Sequence, residues 1–301
     1  MTRGQGRDRC RTPSARRGPA SSLLLLLTLL LWGCQEGEEG AAGREASSTT
    51  PLLILAAADL QAAFEELVPR FEEAEGARVD VVLGSSGNLA AQIRHGAPAD
   101  LFFSANEAFL DDLIRDGRVL APSRREYAVG RLALIAGPGE APPPGLEALT
   151  ESGYGVVALA NPEHAPYGMA AREGLVHAQV WDQVEPRLVL GENIAHTLQF
   201  VRTGNADAGL VALGLVRGMS GSHIPHTVIP DSLHAPLRQV AGIVEGTERE
   251  EVAVRFLAFV MSAESQATLA RFGFESPQVD EDESHGRADG EESHGRADEV
   301  E

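Results

Sequence analysis

Between residues 52 and 105 three apolar runs, LLILAAADL, VVLGSSGNLAAQI and GAPADLFFSA, each end in small residues at a turn. The first two lead straight into helical spacing, so the segment is committed to making strand ends and helix starts repeatedly. At such a junction the first N–H groups of the helix have no partner within the helix. The aligned peptide dipoles add partial positive charge there, which suits the junction to an anion. Small residues let a ligand reach those groups.

The two ends of the chain are not expected to belong to the fold. Residues 1–22 carry six Arg against Asp8 alone, and residues 23–31 are an almost unbroken leucine run closed by Trp32, Gly33 and Cys34. Residues 1–33 therefore read as an export signal, with an ordinary cleaved signal or an uncleaved anchor as the alternatives to lipidation. The sequence Leu31-Trp32-Gly33-Cys34 resembles the bacterial lipoprotein cleavage box, which implies that Cys34 is lipidated and begins the mature chain. Residues 34–50, rich in Gly, Glu, Ser and Thr, read as a flexible tether. Residues 276–301 read as an acidic disordered tail that repeats ESHGRAD, with His285 and His294 in the two copies; a solubilising role is expected before a metal-catching one.

Only Cys10 and Cys34 are present, so no disulfide, thiolate metal site or cysteine nucleophile is available to the domain between the tails. All 25 basic residues are Arg, and removal of residues 1–33, with six Arg and one Asp, takes the formal charge from −19 to −24. Such a balance argues against nucleic acid as a partner, and any anion must be held by local dipoles against an unfavourable global field.

Between the tails, apolar periodicity predicts strands at 52–57, 78–83, 100–104, 131–136, 155–160, 188–190, 208–213, 228–229 and 239–244. Helices are predicted at 60–75, 89–95, 108–116, 168–183, 195–203 and, as one closing stretch, 248–272, with Pro69 expected to kink the first or end it a turn early. This alternation argues for parallel-type sheets covered by helices on both faces. Gly-containing joints near 129–131 and 235–240 suggest one α/β lobe at 51–128 plus 236–275 and a second at 130–234. A chain that crosses twice between two lobes can close about a hinge over a cleft.

Four junctions carry candidate chemistry: Asp59 after AAA, Ser86 in GSSGN, NPEHAPYG at 161–168, and GENI at 191–194. Taken singly, Asp59, Ser86 and Asn193 are adequately explained as helix N-caps. Together they suggest several strand ends meeting at one cleft, where ligands bind in open α/β sheets. His164 is expected to be a turn histidine bonding backbone, and no nucleophile is evident beside it.

These motifs, with GNADAGLVAL at 204–213 and the terminal RFGF, resemble the periplasmic molybdate-binding proteins of bacterial ABC importers over roughly residues 52–274. The resemblance implies a two-lobed periplasmic binding protein: two α/β domains joined by two hinge crossings, with the ligand cleft between them. It implies capture of molybdate or tungstate and delivery to a permease, outside the cytoplasm, by a monomer without a cofactor and without enzymatic activity. Carried over position by position, it puts the oxyanion at Asp59, Ser86, Ala105, Tyr167 and Ile194. Ser86 would give its hydroxyl and N–H, Ala105 and Ile194 backbone groups, and Tyr167 a phenolic O–H in place of one missing at Ala212. An ionised carboxylate repels a dianion, so Asp59 is expected to turn its side chain onto its own helix and offer only N–H. The rival readings are a site for another oxyanion such as sulfate, or an enzyme on the same fold.

Overall fold

The computed structural model describes residues 50–218 and 224–277; the signal, Cys34 tether and acidic tail expected from the sequence lie outside them, apart from the first and last residues of the latter two segments. The chain opens with β1 (Leu52–Ala57), a 3-10 turn at Ala58–Leu60 and α1 (Gln61–Glu75). It continues through β2 (Val79–Gly84), α2 (Ser86–Arg94), β3 (Leu101–Ser104), α3 (Glu107–Arg115) and β4 (Arg125–Gly130). Next come β5 (Leu132–Ala136), β6 (Val157–Ala160), α4 (Pro166–His177), α5 (Trp181–Val184), β7 (Leu188–Gly191), α6 (Ile194–Arg202), β8 (Ala208–Ala212), α7 (Leu213–Arg217) and β9 (Thr227–Val228). The described chain closes with β10 (Leu237–Ile243), α8 (Glu250–Met261) and α9 (Ala263–Arg271).

Two five-stranded sheets result, in the orders β2-β1-β3-β10-β4 and β7-β6-β8-β5-β9. Each contains a parallel trio with its first strand in the middle, β2-β1-β3 in one and β7-β6-β8 in the other. The sheets are mixed rather than parallel throughout: β10 runs antiparallel to β3 and β4, and β5 antiparallel to β8 and β9. The reason is the double crossing. A strand that enters a lobe from its neighbour meets the parallel trio from the opposite direction. Arg131, at the first crossing, forms ion pairs with Asp231 near the second and with Glu275 at the end of the first lobe, so one guanidinium ties both crossings together.

The first sheet is covered on both faces because its strands are apolar on both. Phe103 points into an edge-to-face aromatic cluster with Phe64, Phe256 and Tyr127, while its neighbour Phe102 points to the opposite face among Leu89, Ile93, Leu110 and Val240. Leu134, Leu159, Leu198 and Leu210 belong to the core of the second sheet.

Several elements depart from their sequence expectations. The first helix runs six residues past Pro69, to Glu75. The helix expected over 168–183 breaks after His177, where Gln179 takes a left-handed backbone with φ 59°. The closing stretch divides at Ser262, which ends α8 in an extended conformation and whose hydroxyl caps α9 by accepting from Ser265 N–H. β4 and α7 were not anticipated.

Candidate functional site

Parallel strands in one sheet end on the same edge, and that edge carries the junctions. β1 runs out at Ala57 into the 3-10 turn that holds Asp59, β2 at Gly84 into α2, and β3 at Ser104 beside Ala105. In the second sheet β6 runs out into the turn before Tyr167, and β7 into Asn193 and Ile194. The register shows how level these ends are, with Ala57 opposite Gly84 and Ala160 opposite Gly191.

The five residues expected at an oxyanion, Asp59, Ser86, Ala105, Tyr167 and Ile194, line one small cavity together with Ala57, Ala58, Gly84, Ser85, Ala165 and Pro166. All five are buried, none more than 4% exposed. The cavity is small: the space open to the centre of a water molecule is about 10 Å³, close to the room that one water needs. Among the described residues no cationic side chain lines it. Positive potential comes instead from first-turn N–H groups of α2, α4 and α6, which have no acceptor in their own helices.

The expected capping roles are met only in part. Asn193 does cap α6, its Oδ1 accepting from His196 N–H at 3.0 Å. Ser86 lies inside α2, one residue after the N-cap position held by Ser85. Its Oγ accepts the N–H of Ala105 at 3.0 Å, so Ala105 orients the hydroxyl across the sheet edge and leaves the Ser86 O–H free to donate.

Asp59 departs furthest from expectation. The 3-10 turn that contains it has no side-chain cap. Its Oδ2 instead accepts from Tyr167 Oη at 2.9 Å and from Gln239 Nε2 at 2.9 Å, and Tyr127 Oη donates to Gln239 Oε1 at 3.1 Å. Asp59 Oδ1 is buried without a hydrogen-bond partner among the described residues. Burial in this pocket pushes the carboxyl up to about 6, against the hydrogen bonds that favour its charged form. Burial likewise pushes both phenols well above the usual tyrosine range, with the nearby Asp59 charge adding to it. The single Tyr167 proton, expected to face an oxyanion, is thus committed to Asp59.

Across the cleft the turn before α4 meets the start of α2. Gly87 N–H donates to the His164 carbonyl at 2.9 Å, and Ser85 Oγ lies 2.8 Å from His164 Nδ1. His164 therefore bonds the opposite lobe through its backbone and, through its ring, a serine side chain, where a turn histidine bonding backbone was expected. Among the described residues no carboxylate is bonded to that ring, so the pair lacks the third member that orients a catalytic base. Gln239, Tyr127 and Ser85 escaped the sequence reading. Only Ser85 left a signal, as the other serine of GSSGN.

The chain matches the family of bacterial extracellular solute-binding proteins over residues 52–275. It is 31% identical to the molybdate-binding protein ModA of Rhodobacter capsulatus, over 74% of this chain and 87% of that protein. It is also 31% identical to ModA of Azotobacter vinelandii, over 73% of this chain and 88% of that protein. The solved structure of the Azotobacter vinelandii periplasmic molybdate-binding protein superposes with a TM-score of 0.71 at 31% identity, over 75% of this chain and all of that one.

Proposed function

The chain belongs to the family of bacterial extracellular solute-binding proteins, and on that footing we propose that it captures molybdate, with tungstate as an alternative cargo, and delivers it to an ABC importer. The observation that carries this reading is the convergence of Asp59, Ser86, Ala105, Tyr167 and Ile194, from five separate junctions, on one small cavity that among the described residues has no cationic side chain in its lining. In a water-excluded site, hydrogen bonds to a charged acceptor are shorter and about twice as strong as neutral ones, so a dianion can be held without a cation. Fixed backbone donors also set the size of the hole. Sulfate has the same charge and shape but is smaller, and rigid donors cannot follow it inward. The protein acts as a monomer and binds rather than transforms its ligand.

The test is calorimetric titration of the domain with molybdate, tungstate and sulfate, paired with thermal unfolding. Molybdate at one hundred times its dissociation constant should stabilise the fold by about 2.7 kcal/mol, and sulfate at equal concentration should leave the melting temperature where it was. Equal shifts for the two anions would overturn the molybdate assignment.

Delivery to a permease is served by tethering. We place the protein in the periplasm or at the cell surface, held to a membrane through a lipid on Cys34. A Cys34→Ala chain is expected in the soluble fraction with its molybdate affinity unaltered, as read by fractionation and titration. Continued sedimentation with membranes would show residues 23–32 to be an uncleaved anchor.

A further inference from the structure

We propose that Asp59 meets the oxyanion as a neutral carboxylic acid, its Oδ1–H donating to one oxo group, so that each anion is captured together with one proton taken from solvent. This rests on the molybdate reading above and assigns that site a proton linkage.

The geometry leaves the carboxyl one free oxygen. Oδ2 already accepts from the Tyr167 hydroxyl and the Gln239 amide, each at 2.9 Å. Oδ1 is buried with no hydrogen-bond partner among the described residues, the nearby N–H groups of Asp59 and Leu60 acting on the carboxyl without satisfying that oxygen, and the residue lines the cavity. Buried polar atoms are nearly always satisfied, so an orphan at the wall of a binding cavity points to a ligand that completes it. An ionised carboxylate carries acceptors only, and an oxyanion has no proton to offer it. Protonation converts Oδ1 into a donor and removes a charge that would face a dianion.

The surroundings permit this. The phenols of Tyr127 on β4 and Tyr167 on α4 face the carboxyl, and burial holds both in the neutral form. Gln239 on β10 is uncharged. His164, on the turn before α4, is engaged with Ser85. On the elements packed against the 3-10 turn, Glu65 of α1 and His196 and Arg202 of α6 line a neighbouring groove that shares Ala58 with the cavity but are not in the cavity lining, and Arg217 of α7 is exposed. No cation is among the groups acting on the carboxyl to hold it ionised. In the empty site burial, opposed by the hydrogen bonds to the carboxyl, brings the acid to about 6, and an entering dianion raises it further. The sign follows: above pH 6 the free protein must take up a proton in order to bind, so affinity falls as pH rises.

The native domain, titrated with molybdate at pH 7.5 in two buffers of different ionisation heat, should take up about one proton per anion. Its dissociation constant should rise about tenfold per pH unit above 7. Asp59→Asn, which offers an amide donor in place of the acid, should show uptake near zero and a dissociation constant that is flat with pH. Native binding without proton uptake would overturn the proposal and leave the molybdate reading standing. Uptake that persists undiminished in Asp59→Asn would place the proton on another group and overturn it as well. Absence of molybdate binding at every pH would overturn the functional reading, and this linkage with it. The two-buffer measurement needs no variant, so a poorly folded Asp59→Asn chain does not shield the proposal.

Discussion

A Gly130→Ala protein is expected to bind molybdate at least about a hundredfold more weakly than the native chain, a change of about 2.7 kcal/mol, and to melt at lower temperature. Gly130 ends β4 where the chain leaves the first lobe, paired with Leu237 of β10. A Cβ built there would stand 2.2 Å from Tyr167 Oη, 2.7 Å from Gln239 Nε2 and 3.1 Å from Tyr167 Cζ. Those two polar atoms are the donors that hold Asp59 Oδ2, and both side chains are buried, so neither can swing into solvent. A single methyl would therefore push away both hydrogen bonds of a buried carboxyl, each worth about 1.5–3 kcal/mol to a charged group. The displaced phenol belongs to a residue that lines the cavity, so its shift is felt at the ligand site. Adding Tyr167→Phe removes the atom at 2.2 Å, and the double variant should recover part of the melting temperature but not the affinity. Native affinity in Gly130→Ala would show that the Asp59 cluster is mechanically independent of the site.

The contrast between what the sequence discloses and what it hides follows from sequence distance. β1 was legible to the residue because LLILAA is a local apolar pattern between a polar tether and a turn. The cavity was legible as a set because each of its five residues sits at a strand end or helix start, and such junctions are written in a few consecutive letters. β4 was not, because REYAVG runs into Gly130 and Arg131, and a glycine at a lobe crossing looks the same as a loop. The orientation of Asp59 was beyond any local rule. The amide that fixes it comes from Gln239, 180 residues away, and reaches the site only because β10 returns from the second lobe to lie beside β3 and β4. A capping role was the best local inference for an Asp at a helix start, and a long-range contact displaced it.

Gly87→Ala is expected to separate affinity from stability in a way that ordinary core damage does not. Gly87 is the second residue of α2, and replacing glycine by alanine within a helix favours the helix by up to about 1 kcal/mol. Within its own lobe the substitution should thus be harmless or mildly stabilising. Across the cleft it is not. The new Cβ would lie 2.7 Å from the His164 carbonyl oxygen and 3.0 Å from its Cα, and these are backbone atoms of the facing lobe that no rotamer change can clear. The same approach carries the Gly87 N–H bond to His164 and sets the Ser85 hydroxyl against the His164 ring. Only the closed arrangement suffers, at an overpacking cost of about 1–3 kcal/mol. A binding equilibrium that requires closure bears that cost in full, because a ligand gains only what its preferred state can give it. The dissociation constant for molybdate should rise about tenfold to a hundredfold while the ligand-free melting temperature stays level or increases. Scattering with molybdate present should show the variant remaining more expanded than the native complex. A ligand-free melting temperature that drops along with the affinity would mean that α2 and the His164 turn form a permanent core contact, and that this cleft does not open by parting there.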